Sequence, residues 1–298
     1  MSKDTKLQQL GRLTVREFFA RFPDEGACLN HIMEVRYGVR HTCSACEVYG
    51  TFHKLAERRA FSCAHCGHHV YPTAGTIFQD TRTPLQVWFY AVYLFVTTRH
   101  GVSGKDLQRT LGVTYKTAWR MGQQIRVLMA KADGFAEMQG HVEIDETYVG
   151  GYRAGKSGIG TNKTIVMGIV ERGGRTIAKT VPNLKMDSVR PFIYENIKAG
   201  SAVSTDEASI YDLLSSAGYD HKSVNHSKKQ WRKFNYRRDE YHHTNSVEGF
   251  WRLFKNSIKS THIHVSPKYM DRYLREFTFR SNHRQMTNAM FDLLISAV

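Results

Sequence analysis

Two closely spaced cysteine pairs constrain this chain more than any other feature. Cys43 and Cys46 form one pair, Cys63 and Cys66 form the other, and each pair encloses two residues. Zinc in structural sites takes four tetrahedral ligands, and two such turns supply four thiolates from one short segment. The spacing therefore predicts a zinc ribbon over residues 39–80, in which bound Zn²⁺ helps to fold a region with few apolar residues.

The charge balance indicates a polyanionic partner. The chain has 42 Lys and Arg against 27 Asp and Glu, which leaves a net charge of +15. Nucleic acid is the commonest partner of so basic a chain, and an anionic membrane surface is the competing one. The longest apolar stretch, residues 87–96, is about half of the ~20 residues that a spanning helix needs. No apolar segment of a signal peptide follows the first residues, so we expect a cytoplasmic protein with no membrane partner.

A helical DNA-binding module is predicted over residues 81–132. Ser103 can cap a first helix that ends at Gly112, and a second helix follows after a tight turn. This is helix-turn-helix spacing, although an ordinary helical hairpin would have the same pattern. Side chains suited to phosphate and base-edge contacts are expected to face outward from the second helix. They are Lys116, Arg120 and Gln123.

A different periodicity begins after residue 138. Alternating apolar residues predict strands at 142–149, 164–170 and 176–181, then a helix at 187–197, a strand at 202–205 and helices from about 243. Three strands, a helix, a further strand and later helices is the order of a ribonuclease-H-like domain. We therefore expect a multidomain chain: an N-terminal helical segment at 1–38, the zinc ribbon, the helical module, and an α/β catalytic domain at 138–298.

Acidic residues mark a candidate site in this last domain. Asp145 lies within an apolar strand and Asp206 directly follows another, whereas an acid taken alone is more often a solvated surface charge. A buried charge needs a partner or a metal. Phosphodiester cleavage needs an activated water and a stabilised leaving oxyanion, which a pair of divalent ions can provide, and Mg²⁺ prefers oxygen ligands.

The predicted helix from residue 245 would complete this site. At about 100° per residue, one face is polar and the opposite face is apolar. The polar face carries Asn245, Glu248, Arg252, Lys255 and Lys259, and the apolar face carries Val247, Phe250, Trp251, Phe254 and Ile258. A possible metal ligand on this helix is thus followed by cations that could hold DNA phosphates.

A basic and aromatic segment precedes that helix. Trp231, Phe234 and Tyr236 alternate with cations, a composition that suits the ends of DNA strands. The cations are Lys228, Lys229, Arg232 and Lys233. A solvated basic loop is the alternative. His243, just before the helix, could touch a scissile phosphate.

These motifs together resemble a known family. The chain is similar to bacterial insertion-sequence transposases of the DDE superfamily that carry an N-terminal zinc ribbon. The matching pieces are the cysteine pairs, the runs 144–151, 204–207, 224–227, 243–251 and 273–277, and Arg280, Asn282 and Arg284. The resemblance extends from about residue 18 to residue 284.

The resemblance implies a ribonuclease-H-like fold, dependence on Mg²⁺ or Mn²⁺, and double-stranded DNA as substrate, both transposon ends and target. It implies Asp145 and Asp206 as the first two catalytic acids, and a homodimer or higher oligomer on DNA. Relatives carry Asn or Glu as the third ligand, so Asn245 and Glu248 both remain open, with the carboxylate favoured by Mg²⁺ chemistry. Lys255 lies where similar transposases have a Lys or Arg.

Two other functions remain possible from the sequence. A DNA-binding regulator with an inert catalytic-like domain would keep the zinc ribbon, the helical module and the positive charge. A structure-specific nuclease or resolvase would cut DNA without joining it.

Overall fold

The computed structural model describes residues 13–150, 163–236, 238–286 and 289–298. The chain forms two compact units, one made of Met1–Ala132 with His283–Val298 and the other of Asp133–Asn282. Residues 1–12 of the predicted N-terminal segment and Gly151 of the run 144–151 lie outside the described residues. Within the described part of the chain, no helix is both long and apolar enough to cross a bilayer.

Helices and strands follow the predicted order. The helices are α1 (Val15–Arg21), α2 (Glu25–Tyr37), α3 (Leu85–Thr97), α4 (Gly104–Leu111), α5 (Tyr115–Asp133), α6 (Met186–Asn196), α7 (Asn245–Ser257), α8 (Met270–Asn282) and α9 (Met290–Ser296). The strands are β1 (Arg40–Thr42), β2 (Tyr49–Lys54), β3 (Phe61–Cys63), β4 (His69–Val70), β5 (His141–Val149), β6 (Thr164–Glu171), β7 (Thr176–Val181), β8 (Ala202–Thr205), β9 (Asp220–Ser223), β10 (Lys233–Asn235) and β11 (Glu240–His242).

Aromatic packing holds the helices of the first unit together. The ring of Phe22 at the end of α1 lies 5.0 Å from that of Phe89 on α3 and 5.4 Å from that of Phe291 on α9. Residues 283–298 therefore belong to this unit, whereas the sequence assigned them to a domain at 138–298. This contact joins segments far apart in the chain, and no local pattern signals it.

The predicted pair of helices at 104–133 forms, with one correction. The Ser103 hydroxyl accepts the N–H of Asp106 as a capping box, and Gly112 ends α4 in the left-handed conformation, as the sequence indicated. Lys116 is exposed, as is Arg120, but Gln123 is only 2 % exposed and does not face outward. The preceding residue, Gly122, lies against α3 and α4, so this level of α5 is enclosed by neighbouring helices.

A five-stranded sheet forms the centre of the second unit. Its strand order is β7-β6-β5-β8-β9. The pairs β5–β6 and β6–β7 are antiparallel, and β5–β8 and β8–β9 are parallel. One face packs on α6, with Val142 and Ile144 in its core. The other face packs on α7 and α8, with Val149 and Val166 in its core.

Short polar strands in this unit were not predicted. β9 lies at one edge of the sheet, and β10 pairs with β11 in a separate two-stranded ribbon. Each contains only three or four residues with few apolar side chains, so they form through pairing with a neighbour rather than through a hydrophobic pattern of their own.

Candidate active site and zinc site

Equivalent backbone turns position the two cysteine pairs. In the first turn the N–H of Glu47 donates to the carbonyl of Cys43 at 2.9 Å, and in the second Gly67 donates to Cys63 at 3.0 Å. Glu47 and Gly67 both adopt positive φ, at 59° and 76°, as the tight turn requires. The repeated geometry points the cysteines of both turns toward one another.

The four sulfur atoms form one ligand set. All lie within 4.8 Å of one another, with Cys43 and Cys66 separated by 3.7 Å and Cys46 and Cys63 by 3.9 Å. Tetrahedral zinc with bonds of about 2.3 Å places its sulfurs roughly 3.8 Å apart. N–H groups of Ala45 and Cys46 lower the pKa of Cys43 to about 6, which favours the thiolate. The donor set therefore fits a structural Zn²⁺.

Strand pairing brings Asp145 and Asp206 to the same edge of the central sheet. Glu143 of β5 is the parallel partner of Ser204 on β8, and both aspartates lie two residues further on. Neighbouring strands are about 4.8 Å apart, so the two side chains leave adjacent strands at matching positions. Both aspartates are partly buried.

A buried carboxylate fixes the start of α7 beside these aspartates. Glu143 is fully buried and accepts the backbone N–H groups of Ser246 at 2.7 Å and Val247 at 3.1 Å. Arg172 donates to the same carboxylate at 2.7 Å, and His243 lies 3.0 Å from it. From the sequence, His243 was expected to contact a phosphate, and Glu143 was missed. Glu143 lies two residues before Asp145 and therefore on the same face of the strand, which is the signal that could have revealed it.

Packing against β6 fixes the rotation of α7. Trp251 lies so close to Gly168 that a Cβ atom there would stand 2.5 Å from the indole, and Gly168 is the strand partner of Asp145. The predicted faces are confirmed for α7 and for the π-helical turn Ile258–His262 that follows it: the apolar residues are buried, and Asn245, Glu248, Arg252, Lys255 and Lys259 are exposed. Both candidate third ligands thus lie on the open side of the helix.

The charges of these groups influence one another. Burial, followed by the charges of Glu146, Asp206 and Glu248, raises the pKa of Asp145 to about 8. Burial also raises the pKa of Asp206 and lowers the pKa of Lys255, while Asp145 acts in the opposite direction on Lys255. Carboxylates that oppose each other's ionisation form an arrangement that a bound cation relieves.

The carboxylates form a more open group than the cysteines. Among residues 13–150, 163–236, 238–286 and 289–298, only the four cysteines bring three or more potential ligand atoms within 4.8 Å of one another. Asp145, Asp206 and Glu248 are close enough to interact electrostatically but do not form so compact a set.

His226 lies beside Glu248, and the sequence predicted no role for it beyond its place in the run 224–227. Its Nε2 atom lies 3.5 Å from Oε1 of Glu248 and 3.2 Å from the hydroxyl of Thr244. Its charge also lowers the pKa of Asp206, against the larger effect of burial. A local pattern could not reveal this contact, because it depends on how β8 and α7 meet.

The basic and aromatic segment follows His226 in the chain and contacts its ring. That ring lies 5.1 Å from that of Trp231, which is 61 % exposed, and Tyr236 is 89 % exposed. The cations of this segment, Lys228, Lys229, Arg232 and Lys233, are all exposed. Arg232 stacks 4.6 Å from the ring of Tyr241. Exposed aromatic rings and cations thus begin next to the acidic group.

Two family models match the chain. Residues 137–282 match the ISXO2-like transposase domain, and residues 23–69 match the transposase zinc-ribbon domain. The first range includes Asp145, Asp206 and all of α7, and the second includes all four cysteines.

Two similar proteins have names that refer to transposition. One, from Halobacterium salinarum, is described as an uncharacterized protein in transposable element ISH50, and is 30 % identical over 133 residues, which cover 43 % of each chain. Another, an uncharacterized transposase-like protein from Haemophilus influenzae, is 27 % identical over 106 residues, covering 36 % of this chain and 80 % of its own length. The chain thus spans less than half of the Halobacterium relative.

Proposed function

Because the chain carries both of these domains and so belongs to the insertion-sequence transposases with a zinc ribbon, we propose that it is a DDE-type DNA transposase. It would bind transposon ends, cut the DNA there and join the freed strand to target DNA. The observation that carries this proposal is the placing of Asp145 and Asp206 at matching positions on adjacent parallel strands, with Glu248 near Asp145.

The sheet topology supports a ribonuclease-H-like catalytic fold. Numbered within the second unit, the strands run in the order 3-2-1-4-5, with the first three antiparallel and the last two parallel to the first. In our proposal the acids of the first and fourth strands carry the chemistry, and α7 adds the third ligand.

The donor set suits Mg²⁺ or Mn²⁺. Asp145, Asp206 and either Glu248 or Asn245 offer only oxygen ligands, which these hard cations prefer. Bound divalent ions would supply an activated water and charge stabilisation at the leaving oxygen. We favour Glu248 as the direct ligand, because it brings a charge as well as an oxygen and lies within electrostatic range of Asp145.

Cations on α7 would hold the DNA backbone at this site. Lys255 lies near Asp145, Arg252 is exposed on the same helix, and Lys259 is exposed in the turn that follows it. In the first reaction, water attacks the phosphorus and the P–O3′ bond breaks, which frees a 3′-hydroxyl at the transposon end. In the second, that hydroxyl attacks a target phosphorus and displaces a target 3′-oxygen.

Other surfaces would supply DNA binding. Lys116 and Arg120 are exposed on α5, which follows α4 as the second helix of the proposed helix-turn-helix. The exposed basic segment, with Trp231 and Tyr236, suits strand ends next to the acidic site. We propose that the chain acts on double-stranded DNA as a homodimer or higher oligomer, since two ends are joined in one event.

A supercoiled plasmid that carries both cognate ends tests this proposal. With Mg²⁺, the protein should nick at the ends and produce joined products with a second plasmid, and EDTA should prevent both reactions. Cutting without joining would indicate a nuclease or resolvase. End binding without cutting in either Mg²⁺ or Mn²⁺ would indicate a DNA-binding regulator with an inert catalytic domain.

A further inference from the structure

Two side chains of the described part of the chain contact the same oxygen of the Glu248 carboxylate. The Thr244 hydroxyl donates to Oε1 at 2.7 Å, and Nε2 of His226 lies 3.5 Å from the same atom. His226 and Thr244 also contact each other at 3.2 Å, so the three side chains form a closed triangle. Both of these contacts fall on Oε1 and neither falls on Oε2.

The backbone of His226 is held from the Asp206 side of the site. Glu207, the residue after Asp206, accepts the backbone N–H of His226 at 3.0 Å and the hydroxyl of Ser227 at 2.6 Å. His226 therefore connects the end of β8 to the start of α7.

We propose that His226 is a positioning residue that, together with the Thr244 hydroxyl it contacts, restrains Glu248 at Oε1 and so presents Oε2 to the catalytic metal. This role rests on the proposed function. A free glutamate has several rotamers and loses side-chain entropy when it binds a metal, and a partner that restrains it in advance reduces that loss. His226 would thus act through Glu248, without touching the DNA or the metal.

If the His226 ring only packs against its neighbours, its substitutions should behave differently. His226 lies beside Trp231. The alternative is therefore that its imidazole only packs as a flat ring against the indole. His226→Phe keeps a flat ring but has no nitrogen to contact Glu248. His226→Gln loses the ring but keeps an amide N–H at a similar reach. The two substitutions therefore separate positioning from packing.

Mn²⁺ binding to the DNA-free, zinc-loaded protein, followed by electron paramagnetic resonance, is the direct test. Loss of a group that orients a metal ligand typically weakens metal affinity about 10- to 100-fold. We expect His226→Phe to weaken Mn²⁺ binding by at least about tenfold, and His226→Gln to restore most of the affinity. His264→Gln, at an exposed histidine elsewhere in the second unit, should bind Mn²⁺ like the wild type. Zinc content and melting temperature report that each variant is folded.

Asp145→Asn, measured in the same way, separates this inference from the proposed function. Loss of Mn²⁺ in Asp145→Asn with wild-type affinity in His226→Phe would overturn the role of His226 alone. Wild-type affinity in both variants would overturn the proposed metal site as well. An equal loss in His226→Phe and His226→Gln would also contradict positioning, because the amide should replace the imidazole contact.

Discussion

At the scale of single residues, Asp145 destabilises the metal-free fold. Burial and three neighbouring carboxylates raise its pKa to about 8 from an ordinary value of 3.8. The folded chain therefore keeps a proton that the unfolded chain has already released. A group with a raised folded-state pKa of this kind makes stability fall as the pH rises through the interval from 3.8 to about 8.

Asp145→Asn should consequently stabilise the metal-free protein at high pH. The amide keeps the shape of the side chain but has no proton to lose. We expect the melting temperature of the variant to exceed that of the wild type by at least about 2 °C at pH 8, the shift that roughly 1 kcal/mol gives in a domain of this size. The difference should shrink toward pH 4.

The control for this prediction is the effect of added Mn²⁺ on the melting temperature. Mn²⁺ should raise the melting temperature of the wild type at pH 8 and leave that of Asp145→Asn unchanged, because ligand binding stabilises only a fold that binds it. A difference between the two proteins that stays constant across this pH range would contradict the assigned cause.

The exposure and contacts of a site residue could be predicted from the sequence only where the local hydrophobic pattern determines them. The polar face of α7 follows from helical periodicity, so its five members are exposed as expected. Gln123 follows the same periodicity on α5 and is nevertheless buried, because helices distant in sequence cover that level. Glu143 and His226 were missed because their partners belong to other elements.

At the scale of helices and strands, Glu143 joins β5 to α7 and so sets where the third ligand lies. Glu143→Gln keeps one acceptor oxygen but loses the charge that pairs with Arg172. We expect it to cost about 1–3 kcal/mol of unfolding free energy. Glu143→Ala, which leaves the N–H groups of Ser246 and Val247 without an acceptor and Arg172 without its carboxylate, should cost about 3–5 kcal/mol. Urea unfolding measures both.

The matched control is Glu195→Gln, at an exposed glutamate of α6. It should stay within about 0.5 kcal/mol of the wild type. If Glu143→Gln were equally mild, the carboxylate would not be what holds the start of α7.

The zinc ribbon makes a separate prediction at this scale. Cys63→Ser removes one of four thiolates, so the protein should lose its zinc, and the region around β1 to β4 should exchange its amide hydrogens faster. Elemental analysis and hydrogen exchange check this. Cys28→Ser, at the buried cysteine outside the cluster, should keep one zinc per chain. Full zinc retention in Cys63→Ser would contradict the site.

Elements with a hydrophobic period of their own were predictable. β5, β6, β7, α6 and β8 lie close to their expected bounds because each carries enough apolar residues to define a face. β9 and the β10–β11 ribbon have no such face and are stabilised by backbone pairing, which a single sequence does not encode locally. No strand was therefore predicted within the basic segment.

At the scale of the whole molecule, the net charge of +15 favours DNA binding that weakens with salt, and the number of phosphate contacts sets how steeply. Each phosphate contact contributes about 0.9 to the slope of log affinity against log salt concentration. If Lys116 and Arg120 each meet one phosphate, the double alanine variant should bind ends more weakly and lower that slope by about 1.8. Fluorescence anisotropy at several salt concentrations measures it.

Gln123→Ala is the informative comparison for this prediction. Gln123 is buried, so its loss should reduce stability and leave the salt slope unchanged. An unchanged slope in the Lys116 and Arg120 double variant would remove α5 from the DNA-binding surface.

The division of the chain into units was only partly readable from its sequence. The change from helical to alternating periodicity near residue 138 marks the start of the second unit, close to Asp133. Its end at Asn282 was not predicted, because α9 looks like one more helix of the preceding series. Only its packing with Phe22 and the other aromatic residues of the first unit reveals where it belongs.

The most direct test of the account is a cleavage and joining assay on DNA that carries cognate ends, with Mg²⁺, for Asp145→Ala, Asp206→Ala and the control Glu195→Gln. If the two aspartates hold the catalytic metals, each alanine variant should lose both cleavage and joining while still binding the ends, because one missing ligand removes water activation or leaving-group stabilisation. Glu195→Gln should react like the wild type. Substantial cleavage by Asp145→Ala or Asp206→Ala would contradict the central claim.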